Sequence, residues 1–224
     1  MNKTLIGSAR HGRVAAALVV LALVNMHSAA HGGEALLPPP PARLASTAGP
    51  PPNTMLPPVP RDAKRQWARL FMLFNPLSVR DLLNIMAHKV AVAPGRDIET
   101  VVETLIARAE RHGFLLVDRY PMWRELQRLT GEADPYKVEV ISLCDPRVSR
   151  DWMDYAPEMA LFVPPRIAVV EDRERRLWLI MLDWDMRWID TARHAGFDAE
   201  LRADGLLRRE MLEDILQAAA NGTD

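Results

Sequence analysis

The sequence predicts an α+β fold. Two observations carry that prediction. Short runs of alternating or continuous apolar residues are interleaved with amphipathic helical patterns, and the last two runs are joined by a short charged loop that suits a hairpin. A hairpin and a mixed order of elements argue against a doubly wound parallel sheet, in which strands and helices alternate strictly. An apolar share of 49% allows one body with a sizeable core.

The first thirty residues stand apart. Lys3, Arg10 and Arg13 form a positive start, Val14 to Val24 is unbroken apolar, and Ser28-Ala29-Ala30 supplies the small residues a signal peptidase reads. The pattern predicts a secretory signal over residues 1–30 and hence a periplasmic or secreted protein. Left uncleaved, it would tether the chain to the inner membrane, although the apolar run falls short of the roughly 20 residues a spanning helix needs. No cysteine follows the run, which excludes a lipoprotein anchor. Removing the three basic residues takes the formal charge from -1 to -4. A mildly acidic chain without a basic block has no electrostatic footprint for nucleic acid. Membrane contact is expected only through export or an uncleaved anchor.

Residues 31–60 include "LLPPPPARLASTAGPPPNTMLPPVP". Proline at this density removes donors and fixes φ, so an extended spacer is predicted, with a PxxP-type ligand as the sharper alternative. Over 61–85 two short amphipathic helices follow. Ala63, Trp67, Leu70, Phe71 and Phe74 share a face ended by Asn75-Pro76, and Ser78 with Asp81 reads as a capping box before Val79, Leu82, Leu83 and Met86. The first helix is expected to pack on the domain. Its Lys64, Arg65 and Arg69, opposite aromatics, also fit a membrane surface.

The body spans 86–190. "KVAVAPG" predicts a strand. Ile98, Val101, Val102, Leu105, Ile106 and Ala109 predict the clearest helix, capped by Asp97 and stopped by Gly113. "FLLVD" is a second strand, and a short helix is predicted around Trp123 to Leu129. "YKVEVISLC" is a third strand, placing Val138, Val140, Ser142 and Cys144 on one face and Lys137 and Glu139 opposite. Asp145-Pro146 opens a helix towards Tyr155. "RIAVVED" and "RRLWLIMLDW" form the hairpin around Asp172 to Arg175. A last helix is predicted after Gly205, in a helical tail over 191–224.

"GRDIETVVETLIARAERHGF", "YKVEVISLCDP", "PEMALFVPPRIAVVED" and "LWLIMLDW" together resemble the bacterial DUF302 domain family, over about residues 86–190. The most telling pieces are Cys144-Asp145-Pro146 after a strand and Pro164-Pro165-Arg166 before the hairpin. The resemblance implies a two-layer fold, a curved antiparallel sheet packed by helices, with a tendency to dimerise. It implies no established reaction. Relatives often carry a second cysteine where this chain has Pro165, so any paired thiol chemistry lacks half its residues here.

Cys144 is the one cysteine, so no internal disulfide forms. Beside a helix N-terminus, with Arg147 and Arg150 near, its thiolate would be favoured; Asp145, Asp151 and Asp154 oppose this. Packing on the Val138–Val140 face, sulfur transfer, a soft-metal ligand and an intermolecular disulfide all remain open. Met153 and Met159 are the thioethers that would join Cys144 around copper(I), but methionines at such positions ordinarily fill a core. His31, His88, His112 and His194 lack ligand spacing, and no CxxCH excludes covalent haem. "DWDMRWID" offers Asp183 and Asp185 as paired carboxylates on one strand face, and Trp184 and Trp188 as a stacking surface.

No cofactor is predicted. The reading that follows is an exported binding or accessory module in an envelope redox, sulfur or metal-handling process. The alternatives are a thiol-dependent enzyme or sulfur carrier using Cys144, and a dimeric scaffold of an envelope complex. The partners expected are a second copy, an envelope protein or a small ligand.

Overall fold

The computed structural model of the chain describes residues 53–185, 187 and 197–223. The predicted export signal, most of the proline-rich spacer and Trp188 lie outside the described residues. The chain divides into two compact units.

The first unit has α1 (Arg61–Phe74) as its described element. The helix forms where its 3.6-residue pattern predicts, and Pro60 leads into it while Asn75 leaves it extended. No residue of α1 is buried. The expected covering of a core by its apolar face is therefore not found among the described residues.

The second unit takes residues 53–56 and 77–223. Its elements run α2 (Val79–Ile85), β1 (Ala87–Ala91), α3 (Ile98–Arg111), β2 (Leu115–Tyr120), α4 (Met122–Thr130), β3 (Val138–Cys144), α5 (Pro146–Tyr155), a 3-10 turn (Pro157–Leu161), β4 (Arg166–Glu171), β5 (Leu177–Leu182) and α6 (Ala199–Asn221). The fold is α+β. All pairings are antiparallel, in the order β1-β5-β4-β3-β2, so β1 and β2 are the edges.

Local chemistry explains the boundaries. Ser78 and Asp81 form the expected reciprocal capping box at α2. Asp97 accepts from Thr100 N at the start of α3, and Asp145 accepts from Arg147 N at the start of α5, with Pro146 in the first turn. Gly113, at φ +80, turns the chain out of α3 as only glycine does without strain. The last helix departs from expectation. It begins at Ala199, capped by Asp198 accepting from Leu201 N, and runs straight through Gly205. A cap and a buried stripe outweigh the roughly 1 kcal/mol that one interior glycine loses.

One face of the sheet carries the core. The row Ile141, Ile167, Met181 and the row Val169, Leu179, Val90 are cross-strand partners, and α3 and α6 cover them with Val101, Leu105, Ile215, Leu216 and Ala219. Fully burying each of the Val, Leu, Ile and Met side chains contributes about 1.5–3 kcal/mol. The other face, with Val140, Ala168 and Ile180 in register, is half-buried.

The expected alternation of β3 holds, and the face that carries Glu139 is the inward one. Glu139, Ile141 and Leu143 face the core at 0–1% exposure, while Cys144 is only half-buried. The alternation of β3 was legible, but which parity points inward was not, because both faces are partly covered. Glu139 is tolerated inside because Arg119, on the same face of β2, donates from Nε to its carboxylate.

The β4–β5 turn is tied by Asp172, which accepts from Arg176 N at 2.9 Å, Glu174 N at 3.0 Å and Trp178 Nε1 at 2.9 Å. Burial pushes the Asp172 carboxyl up and is the largest single influence. The hydrogen bonds from Trp178 and Arg176, with the guanidinium charge, outweigh it and bring the pKa from 3.8 to about 2. A lowered folded-state pKa means stability present above the unfolded value and lost as pH falls. Urea midpoints of Asp172→Asn are therefore expected below wild type at neutral pH. The gap should close as pH falls from about 4 to below 2.

Candidate functional site

A cavity of about 660 Å³ opens at the end of the sheet where β3 and β5 finish and β4 begins. Such a volume suits a small-molecule ligand. Its walls come from separate stretches of the second unit: Phe114 before β2, Val148, Ser149 and Trp152 of α5, Met159 and 161–165 of the turn and loop before β4, Met181, Leu182 and Trp184, and Arg208, Arg209 and Leu212 of α6. The lining is mainly apolar and aromatic. Phe162 and Trp184 touch each other on its wall, ring centroids 4.7 Å apart and tilted by 38°. Trp152 anchors the α5 side, its Nε1 donating to Asp204 at 3.2 Å.

Three arginines stand on this lining, and their circumstances differ. Arg209 is 6% exposed. It reaches Glu213 at 2.6 Å and Asp183 at 2.8 Å, and donates to His88 Nδ1 at 3.1 Å. The Asp183 contact lies off the N–H axis, an ion pair without an aligned hydrogen bond, so Oδ1 has no hydrogen-bond donor. Because Arg209 can only donate, His88 Nδ1 accepts. Arg208 lies 3.2 Å from Asp204 and 3.4 Å from Asp145. Burial raises the Asp145 carboxyl most strongly among its influences, but hydrogen bonds from Arg147 and the charges of Arg147 and Arg208 together hold it below its ordinary value. Arg166 is different. It is exposed at the start of β4, beside Ser142 in the ladder, and has no ion-pair partner among the described residues.

The residues singled out from sequence fall as follows. Trp184 lines the cavity. Asp183 and Asp185 lie beyond β5, which ends at Leu182, so they are not the strand pair expected. Asp183 faces Arg209. Asp185 accepts from Arg187 at 2.7 Å and 2.9 Å, and that hydrogen bonding, ahead of opposing burial, lowers its carboxyl. Each carboxylate is thus met by a guanidinium. Trp188 is outside the described residues. Met159 lines the cavity and packs with Trp152, Leu201 and Phe197, while Met153 is half-buried on α5. Among the described residues no group of three or more His, Cys, Asp or Glu side chains is placed to hold a metal ion.

Cys144 does not line the cavity but touches its wall. Its Sγ is 3.2 Å from Ser149 Oγ, and Ser149 is a lining residue at 8% exposure. Sequence reasoning missed Arg208, Arg209, Phe162 and Trp152 as site residues. Nothing local marks them, since they converge only through the packing of α5, α6 and the loop before β4. Arg166 did stand in a distinctive segment, after Pro164-Pro165.

A family model for DUF302, a domain of unknown function, matches residues 88–219. The match includes most of α6, which the sequence resemblance leaves outside its core. No curated protein matches the chain. Among solved structures the chain is similar to the crystal structure of an uncharacterized conserved DUF302 protein from Bacillus stearothermophilus. The identity is 14%, the TM-score is 0.48, and the alignment covers 61% of this chain and 99% of that one. No helix among the described residues is long and apolar enough to cross a membrane.

Proposed function

Since the chain belongs to the DUF302 family, whose domain has no established function, we propose that it is a non-catalytic binding module that takes a small amphipathic anion into the cavity at the sheet end. One observation carries this reading. The cavity is walled by apolar and aromatic side chains, and Arg166 is the guanidinium on its lining that no described carboxylate neutralises. An apolar body would displace water from the Trp152, Phe162 and Trp184 surfaces, and an anionic head would take the charge-assisted hydrogen bonds of Arg166. Arg208 and Arg209, already committed to acidic partners, would shape the wall.

The setting we assign to this module is the cell envelope, on the strength of the sequence pattern over residues 1–30. There it would serve as an accessory that carries or presents its ligand. A second reading, a thiol-dependent sulfur carrier, draws on the contact between Cys144 and the cavity-lining Ser149.

Calorimetric titration with decanoate, and with decanol as the neutral match, separates these. Wild type is expected to bind decanoate, Arg166→Gln to bind it about tenfold or more weakly, and decanol to be indifferent to that change. Cys144→Ser should keep decanoate affinity under the binding reading. Equal affinity of Arg166→Gln and wild type would remove the role given to Arg166.

A further inference from the structure

Helix α1 stands outside the cavity reading and carries a proposal independent of it. It is fourteen residues long, no residue of it is buried, and it exposes Trp67 at 44%, Phe71 at 58% and Phe74 at 58%. At 100° per residue, Ala63, Trp67, Leu70 and Phe74 lie along one side, with Phe71 at its margin. Arg61, Arg65 and Arg69 lie on the far side and Lys64 on the flank. Asp62 is the one acid in the helix, and it pairs with Arg65 at 3.3 Å.

We propose that α1 is an interfacial helix that lays its aromatic face into an anionic lipid surface. The charge pattern selects this occupant. Four basic residues against one acid give the helix a net charge of +3, in a chain whose formal charge is -1. An apolar protein groove would satisfy the aromatic side but gives no reason for that concentration of positive charge around it. A bilayer with anionic headgroups answers both sides, since the acyl boundary takes the aromatics and the negative surface potential attracts the basic residues above it, with Lys64 on the flank nearest the phosphates. Length agrees. Fourteen residues make a helix of about 21 Å, short of the roughly 30 Å hydrocarbon core, so it lies along the surface and does not span.

The test uses the full chain with Cys144→Ser, so that one introduced cysteine accepts an environment-sensitive dye. Leu70→Cys puts the dye on the aromatic side and Met72→Cys on the basic side. Far-UV circular dichroism checks that each labelled protein keeps its fold. With mixed phosphatidylcholine–phosphatidylglycerol vesicles, the dye at position 70 is expected to shift to the blue and to be quenched by a lipid-borne quencher. The dye at 72 should stay open to aqueous iodide. Adding Arg65→Glu and Arg69→Glu should weaken the response at 70 by about fivefold or more for each basic charge removed. Three results would overturn the proposal: both positions responding alike, an undiminished response on pure phosphatidylcholine, or a dye at 70, where Leu70 is half-buried, that is as blue-shifted without vesicles as with them. The last would mean that protein occupies the face.

Discussion

Arg119→Met is expected to destabilise the fold by about 3 kcal/mol, among the largest effects of any single change to a polar residue here. The reason lies in Glu139. Its side chain is 0% exposed, Arg119 is its one ion-pair partner among the described residues, and its Oε2 has no hydrogen-bond partner. Removing the guanidinium leaves a carboxylate in the core with no counter-charge, which is worse than having neither group. Arg119 is one-third exposed, which places the effect at the low end of the range for broken buried pairs. The double variant Arg119→Met, Glu139→Met should recover most of the loss. Urea unfolding of the two single variants and the double would show it. Losses that simply add would mean that the two residues are not coupled.

Arg209→Met is expected to lose about 3 kcal/mol of stability and decanoate binding together. Arg209 holds Asp183 beyond β5, Glu213 on its own helix and His88 of β1, and its Nη1 is 3.5 Å from the Trp184 carbonyl. Through these contacts it fixes the segment that presents Trp184 to the cavity. Without it, Asp183 and His88 Nδ1 lose their buried partner and the wall is free to relax. The contrast with Arg166→Gln is the informative part. Arg166 is exposed and unpaired among the described residues, so its substitution should leave the unfolding free energy from urea titration within about 0.5 kcal/mol of wild type. One variant should thus lose both stability and binding, and the other binding alone. If Arg209→Met kept full affinity, the wall it supports would not belong to the binding site.

What could be read from the sequence was local. Ser78, Asp97 and Asp145 cap helices within a turn of themselves, so their roles do not depend on the rest of the fold. The hairpin around Asp172 and the α3 stripe were legible for the same reason. The alternation puts Glu139 opposite Val138 and Val140 but does not say that its face is the inward one, because the arginine that admits an acid to the core lies on a neighbouring strand. Gly205 read as a helix start because glycine is a weak helix former, whereas the cap stands earlier, at Asp198. The candidate site was hardest. Asp183 and Asp185 read as a carboxylate pair; Arg187, which answers Asp185, stands two residues on in the same stretch, but Arg209, which answers Asp183, is brought there only by the packing of α6. Trp184 is legible as an aromatic surface, but its ring partner Phe162 comes from the loop before β4 and the guanidinium of Arg166 from the first residue of β4.

The central claim is that the cavity at the sheet end binds an amphipathic anion through Arg166. A crystal structure of the protein with decanoate tests it most directly. The account predicts the carboxylate within hydrogen-bonding distance of the Arg166 guanidinium and the alkyl chain between Trp152 and Trp184. An empty cavity at saturating decanoate, or a ligand whose carboxylate points away from Arg166, would contradict it.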